Sequence, residues 1–180
     1  MRKVLVVCGV LVSAAGSVFA FQEGFKVIRE SLTGYQEVPV VSTTGHAEFR
    51  ARISNDGTSI EYSLSYADLE GAVQQSHIHV GQPGVNGGIS VFLCTNLGNG
   101  PTGTQACPQS GTITGVIAAT DVSPNIPATA AARTQGINTG ELDELIAAIR
   151  AGATYVNVHS TTWPGGEIRS QIDGNSGHQH

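Results

Sequence analysis

Apolar and polar residues alternate singly through much of the chain, in short runs separated by glycine, proline and hydroxyl residues. From 46 to 53, Ala47, Phe49, Ala51 and Ile53 fall on one side, and His46, Glu48, Arg50 and Arg52 on the other. That period of two belongs to a half-buried strand. Asn55-Asp56-Gly57 is a turn signal, and Ile60, Tyr62, Leu64 and Tyr66 resume the alternation, so 49–53 and 60–64 read as a hairpin. Further strands are expected over 75–80, 89–94, 111–117, 154–159 and 167–172. One segment differs: Leu142, Leu145, Ile146 and Ile149 recur at helical spacing. A short helix is therefore expected within 139–151, capped by Asn138 or Thr139 and ended by Gly152. Residues 124–132, rich in proline and alanine, read as an irregular connection. The pattern predicts a mainly β fold, an antiparallel sandwich or barrel, Greek-key-like, with one short helix.

The chain opens with Met1-Arg2-Lys3, an apolar run and the small-residue end Val18-Phe19-Ala20. These are the parts of a secretory signal peptide over 1–20, and the run is too short to span a bilayer. A domain over 21–172 and a flexible polar tail over 173–180 follow. Loss of Arg2 and Lys3 leaves 7 basic residues against 14 acidic ones, a net charge of −7 with histidine neutral. Such a charge does not attract nucleic acid or an anionic membrane, and no membrane insertion is expected after cleavage. The expected location is secreted or periplasmic.

Cys94 and Cys107 remain once Cys8 leaves with the signal. In an oxidising compartment this pair reads as a disulfide, worth about 3 kcal/mol on the chain-entropy model; the alternative is a metal-binding or reactive thiol pair.

Candidate chemistry lies in histidines. His77 and His79 stand two apart on an expected strand, so their rings share a face while Ile78 and Val80 turn to the core. Tyr155, Asn157 and His159 share a face in the same way, as do Glu167, Arg169 and Gln171 on the next strand. The intervening Trp163-Pro164-Gly165-Gly166 carries a turn signal. Pairing of those strands puts His159 near Glu167 and Asn157 near Arg169, a polar cluster on an outer sheet face. Imidazole is a common ligand of copper and zinc. His77, His79 and His159 are thus candidate ligands, with His46 a possible fourth and Tyr155, Asn157 and Glu167 around them. Arg169 is placed to attract a small anion or to pair with Glu167. Glu37 orders a turn or serves as an acid. The bland reading of the three imidazoles is hydrogen bonding that orders the sheet face. No Ser-His-Asp grouping, phosphate loop or Cys-pair zinc pattern is present.

Several segments resemble the CHRD (chordin-type) domain. They are Leu32-Thr33-Gly34 with Glu37-Val38-Pro39, His77-Ile78-His79-Val80-Gly81 with Gly84-Val85-Asn86-Gly87, the stretch 151–159, and Pro164-Gly165-Gly166-Glu167-Ile168-Arg169. Val40 stands where a second proline is expected, and Ser170 where glycine follows the arginine. The resemblance spans 25 to about 172 and implies an extracellular, mainly β domain without a defined biochemical role. A looser analogy is to copper-dependent superoxide dismutases, which use a His-x-His pair, a further strand histidine and a nearby arginine on a β-sandwich. His77, His79, His159 and Arg169 offer those roles here, though the surrounding dismutase motifs are absent. Two readings follow. One is an exported metalloprotein, with copper favoured over zinc and possible redox activity. The other is a metal-free binding or structural module contacting a surface partner.

Overall fold

The computed structural model describes residues 27–174. The expected signal peptide, and residues 175–180 of the expected tail, lie outside them. Eight strands form one antiparallel sheet: β1 (Ile28–Thr33), β2 (His46–Ile53), β3 (Ile60–Ala67), β4 (Val73–Val80), β5 (Gly88–Thr95), β6 (Gly111–Ile117), β7 (Thr154–Ser160) and β8 (Ile168–Ile172). Their order is β5-β4-β7-β8-β1-β2-β3-β6. The sheet curls until its edge strands β5 and β6 approach, a nearly closed barrel that bears out the mainly antiparallel β expectation. The β2–β3 hairpin pairs Phe49 with Leu64 and Ile53 with Ile60, as its alternation predicts.

The C-terminal hairpin β7–β8 inserts between β4 and β1, which places the second histidine segment beside the first. Inside the barrel pack Leu32, Phe49, Leu64, Ile78, Val156, Val158, Ile168 and Ile172. Helix α2 (Leu142–Arg150) adds Leu142, Leu145, Ile146 and Ile149 to the same core. Gly152 follows it at φ 65°, the left-handed conformation that closes a helix. The expected caps do not act as expected. The Asn138 N–H donates to the Glu141 carboxylate, and Thr139 Oγ1 donates to the Ser123 carbonyl. The stretch expected to be irregular contains a 3₁₀ turn, Pro127–Thr129, and a second short helix, α1 (Ala130–Thr134). A disulfide joins Cys94 on β5 to Cys107 across 13 residues, stapling the loop before β6. No helix among the described residues is long and apolar enough to cross a membrane.

Candidate metal centre

Strand β4 carries His77 and His79, and β7 carries His159. In register, Gln75 faces His159, His77 faces Asn157, His79 faces Tyr155, and Asn157 faces Arg169 of β8. These side chains occupy one face across three strands, while Ile78, Val156, Val158 and Ile168 fill the other. The expected common face is therefore present, but it is not an outer one. His77 is 0 % exposed, and His79, Asn157, His159 and Arg169 are all buried. Loops cover it: Arg169 bonds the 82–86 segment, while His79 and His159 bond Gly87 and Pro164 in the loops that follow their own strands.

One ligand nitrogen from each of His77, His79 and His159 lies within 4.8 Å of the others. Ring centroids are 5.1 Å apart for His77–His159, 5.4 Å for His77–His79 and 6.4 Å for His79–His159. Two nitrogens on one ion stand at most about 4 Å apart, twice a bond of ~2 Å. Closing the gap takes side-chain adjustments of under about an ångström. His77 supplies the sharpest test of fit: both its nitrogens are buried without a hydrogen-bond partner. Its ring packs edge-on against Phe92, at 4.5 Å. A buried polar group left unpaired costs about 1–3 kcal/mol, and a bound cation would satisfy one of the two nitrogens.

The other two rings are oriented by backbone. Nδ1 of His79 stands 3.0 Å from the Gly87 carbonyl, and Nδ1 of His159 stands 3.0 Å from the Pro164 carbonyl. A carbonyl only accepts, so each Nδ1 carries the proton and each Nε2 presents a lone pair, the tautomer a metal ligand needs. Both Nε2 atoms point at the Asn157 amide, at 3.2 and 3.1 Å. Two lone pairs call for the amide NH₂ rather than its oxygen, and the amide's two ends exchange by a half-turn. The turned oxygen faces Glu37, the other hydrogen-bonding neighbour of Asn157.

Electrostatics agree with neutral rings. Burial pushes His79 from 6.5 down to about 3, with the His159 and Arg169 charges acting in the same direction and the bond to the Gly87 carbonyl opposing. Burial also lowers His77, helped by His159 and His79, and lowers His159 against its bond to Pro164. Neutral imidazoles are the ligating form.

Tyr155 stacks flat on His79, with centroids 4.5 Å apart and planes 3° from parallel. The Arg169 guanidinium carbon sits 3.4 Å from the Tyr155 ring centroid. Arg169 also donates to Asn86 Oδ1 at 3.1 Å and to the Gln82 and Val85 carbonyls at 3.4 and 3.0 Å. It does not pair with Glu167 as expected. Glu167, which follows the β7–β8 register to a place opposite His159, accepts at Oε1 from Thr43 Oγ1 at 2.6 Å and the Glu70 N–H at 2.8 Å, tying loops together. His46, expected as a possible fourth ligand, is exposed and stands 3.8 Å from Asp68. The ligand cluster does not include it, because β2 lies on the far side of β8 and β1 from β7. Glu37 is buried beside Arg169 and Asn157; burial raises its carboxyl from 4.5 to about 7, against the attraction of Arg169. A Cβ at Gly166, where φ is 129°, would collide with that carboxyl. Ser170, in place of the expected glycine, sits in regular β8 pairing with Val156.

No curated protein and no solved structure matches the chain. The CHRD domain model matches residues 28–172. That stretch begins with the first residue of β1 and ends with the last of β8, so it takes in the whole sheet, the loops that cover the polar face and every residue of the histidine cluster. The barrel and its buried imidazoles are thus one family unit, and the chain belongs to the CHRD domain family.

Proposed function

We propose that this is an exported metal-binding protein that holds a transition ion through His77, His79 and His159. The observation that carries the reading is His77, whose two nitrogens are buried and unpartnered beside two rings with inward-facing lone pairs. Three imidazoles without thiolate or carboxylate suit copper or zinc, and the general affinity order favours copper. Such an ion supplies Lewis-acid chemistry and, if copper, one-electron chemistry. The chain's own residues do the rest. The Gly87 and Pro164 carbonyls hold the tautomers, Asn157 occupies the space between two Nε2 atoms, and the covering loops exclude water. Storage or delivery fits this closed setting better than dismutation. Arg169 is separated from His79 by the Tyr155 ring and is not aimed at the cluster. Export rests on the signal-peptide pattern at 1–20, the Cys94–Cys107 disulfide and the extracellular habit of the family.

A metal-free module remains the second reading, favoured by one observation: the Asn157 amide satisfies both His79 and His159 without an ion. Metal analysis of protein purified without an affinity tag separates the two. His178 and His180 are replaced by alanine throughout, so that a tail His-x-His cannot scavenge ions. Stoichiometric copper or zinc, lost in His77→Ala/His79→Ala, supports the metalloprotein. No bound metal, together with an unchanged melting temperature on adding either ion, overturns it. A dismutase assay on the copper-loaded protein tests the redox version.

A further inference from the structure

A cleft of about 450 Å³ is lined by Glu37 and Arg169 and walled by Tyr35, Val38, Pro39, Val40 and Pro83. Its volume lies in the range of small-molecule sites, which pair mostly apolar walls with a few placed polar groups. Tyr35 and Val40 are 70 % and 68 % exposed, whereas Glu37 and Arg169 are 5 % and 1 % exposed. The apolar residues therefore form the mouth, and the ionisable ones lie deep.

Glu37 is incompletely satisfied, and Arg169 lacks a counter-ion. The Arg169 guanidinium has five N–H donors, and its three hydrogen bonds go to uncharged oxygens of Asn86, Gln82 and Val85. Among the described residues, no carboxylate lies within ion-pair distance of it. A buried cation without a counter-ion is costly. Glu37 Oε1 is buried without a hydrogen-bond partner. The groups facing that carboxyl are Arg169 on β8, Asn157 on β7, the Val38 N–H and, through its charge, Tyr155 on β7. With its ionisation lifted to about 7 by burial, the carboxyl carries a proton below neutrality and then donates. That proton goes to the turned Asn157 oxygen, so an incoming group meets a cation beside an uncharged acid that does not repel it. A cationic head would be repelled by Arg169, and a bare inorganic anion would leave the apolar mouth unused.

We propose that this cleft binds a small organic carboxylate, its head group on Arg169 and its apolar body against Tyr35 and Val40. None of the three histidines lines the cleft, so the inference does not require a metal there. Benzoate is the probe, titrated into metal-stripped protein at about pH 6, below the Glu37 transition, and followed by calorimetry and amide shifts. Benzamide serves as its uncharged counterpart. Saturable benzoate binding is expected, with shifts at residues 35–40 and 82–86. Binding should weaken roughly ten-fold or more, about 1.4 kcal/mol, for benzamide and for Arg169→Gln. Val40→Asp, which places a like charge at the exposed mouth and leaves the core alone, should weaken benzoate equally and keeps the test decisive if Arg169→Gln fails to fold. Absence of saturation, equal affinity for benzamide, or full benzoate affinity in Val40→Asp would each overturn the proposal.

Discussion

Replacing Glu37 by glutamine should make the metal-free protein markedly more sensitive to mild acid, although the residue is itself an acid. Two buried groups titrate in opposite senses below neutrality. His79 is lowered from 6.5 to about 3 on folding. Its contribution is fully present above pH 6.5 and drains away as the unfolded chain takes up the proton that the folded ring refuses. Between about pH 7 and about pH 5 that loss is about 2 kcal/mol. His77 and His159 are shifted the same way and add to it. Glu37 is raised from 4.5 to about 7. Its folded form gains the proton first, so stability rises as pH falls through the same window, again by about 2 kcal/mol. The acid thus offsets one histidine. Glutamine at this position imitates the protonated carboxyl at every pH and removes the compensation. Its NH₂ still donates to the turned Asn157 oxygen, so the variant should be at least as stable as the parent near pH 7. Urea unfolding of chelator-treated protein at both pH values, with the disulfide intact, reads the effect. The variant should lose about 2 kcal/mol more than the parent over the two pH units. Identical losses would show that Glu37 does not hold its proton in the folded protein, and the coupled arrangement of Glu37, Asn157 and the two rings would fall with it.

Three further outcomes are expected. His77→Leu removes two unpaired nitrogens from an apolar contact with Phe92, so metal-free stability should hold or rise by about 1 kcal/mol while ion uptake disappears; a large loss by urea titration would reveal a partner for that ring. Asn157→Leu strips His79, His159 and Glu37 of a shared hydrogen-bonding neighbour and should cost about 3 kcal/mol in the same assay, and a cost near zero would refute the network. Cys94→Ala/Cys107→Ala frees a 13-residue span and should cost about 3 kcal/mol, measurable as a lowered denaturation midpoint.

Period-two alternation was enough to locate most of the barrel, because strands with one dry face must alternate. It missed β1. Ile28 and Leu32 are buried, but Glu30 holds the inward position between them. Its carboxylate is used at the sheet end by the Asp173 N–H, so a polar residue stands where the pattern asks for an apolar one. The same alternation grouped His77 with His79, and Tyr155 with Asn157 and His159. It said nothing of whether that face is wet. Residues 35–41, 82–87 and 164–166 decide the matter: the first stretch comes from far along the chain, and the other two are the loops after β4 and β7, whose folding back over the face leaves no mark in the alternation. Glu37 shows the limit most clearly: as a lone acid in a turn it gives no sign of its burial beside Arg169. The helix over 142–150 was legible from its apolar stripe, whereas α1 hid within proline- and alanine-rich sequence whose five helical residues are too few to show a period.

Gly87 and Pro164 serve the histidines through main-chain oxygens alone. Loop length, rather than loop decoration, therefore determines which edge of each ring turns inward. Most surface positions in these two loops can be exchanged freely. Gly87, where a side chain would strike the Val80 carbonyl, Gly166, where one would strike Glu37, and Asn86, which holds Arg169, are exceptions. Inserting or deleting a single residue would swing a carbonyl off its ring and let the imidazole rotate, abolishing the pocket without altering one of its three nitrogens.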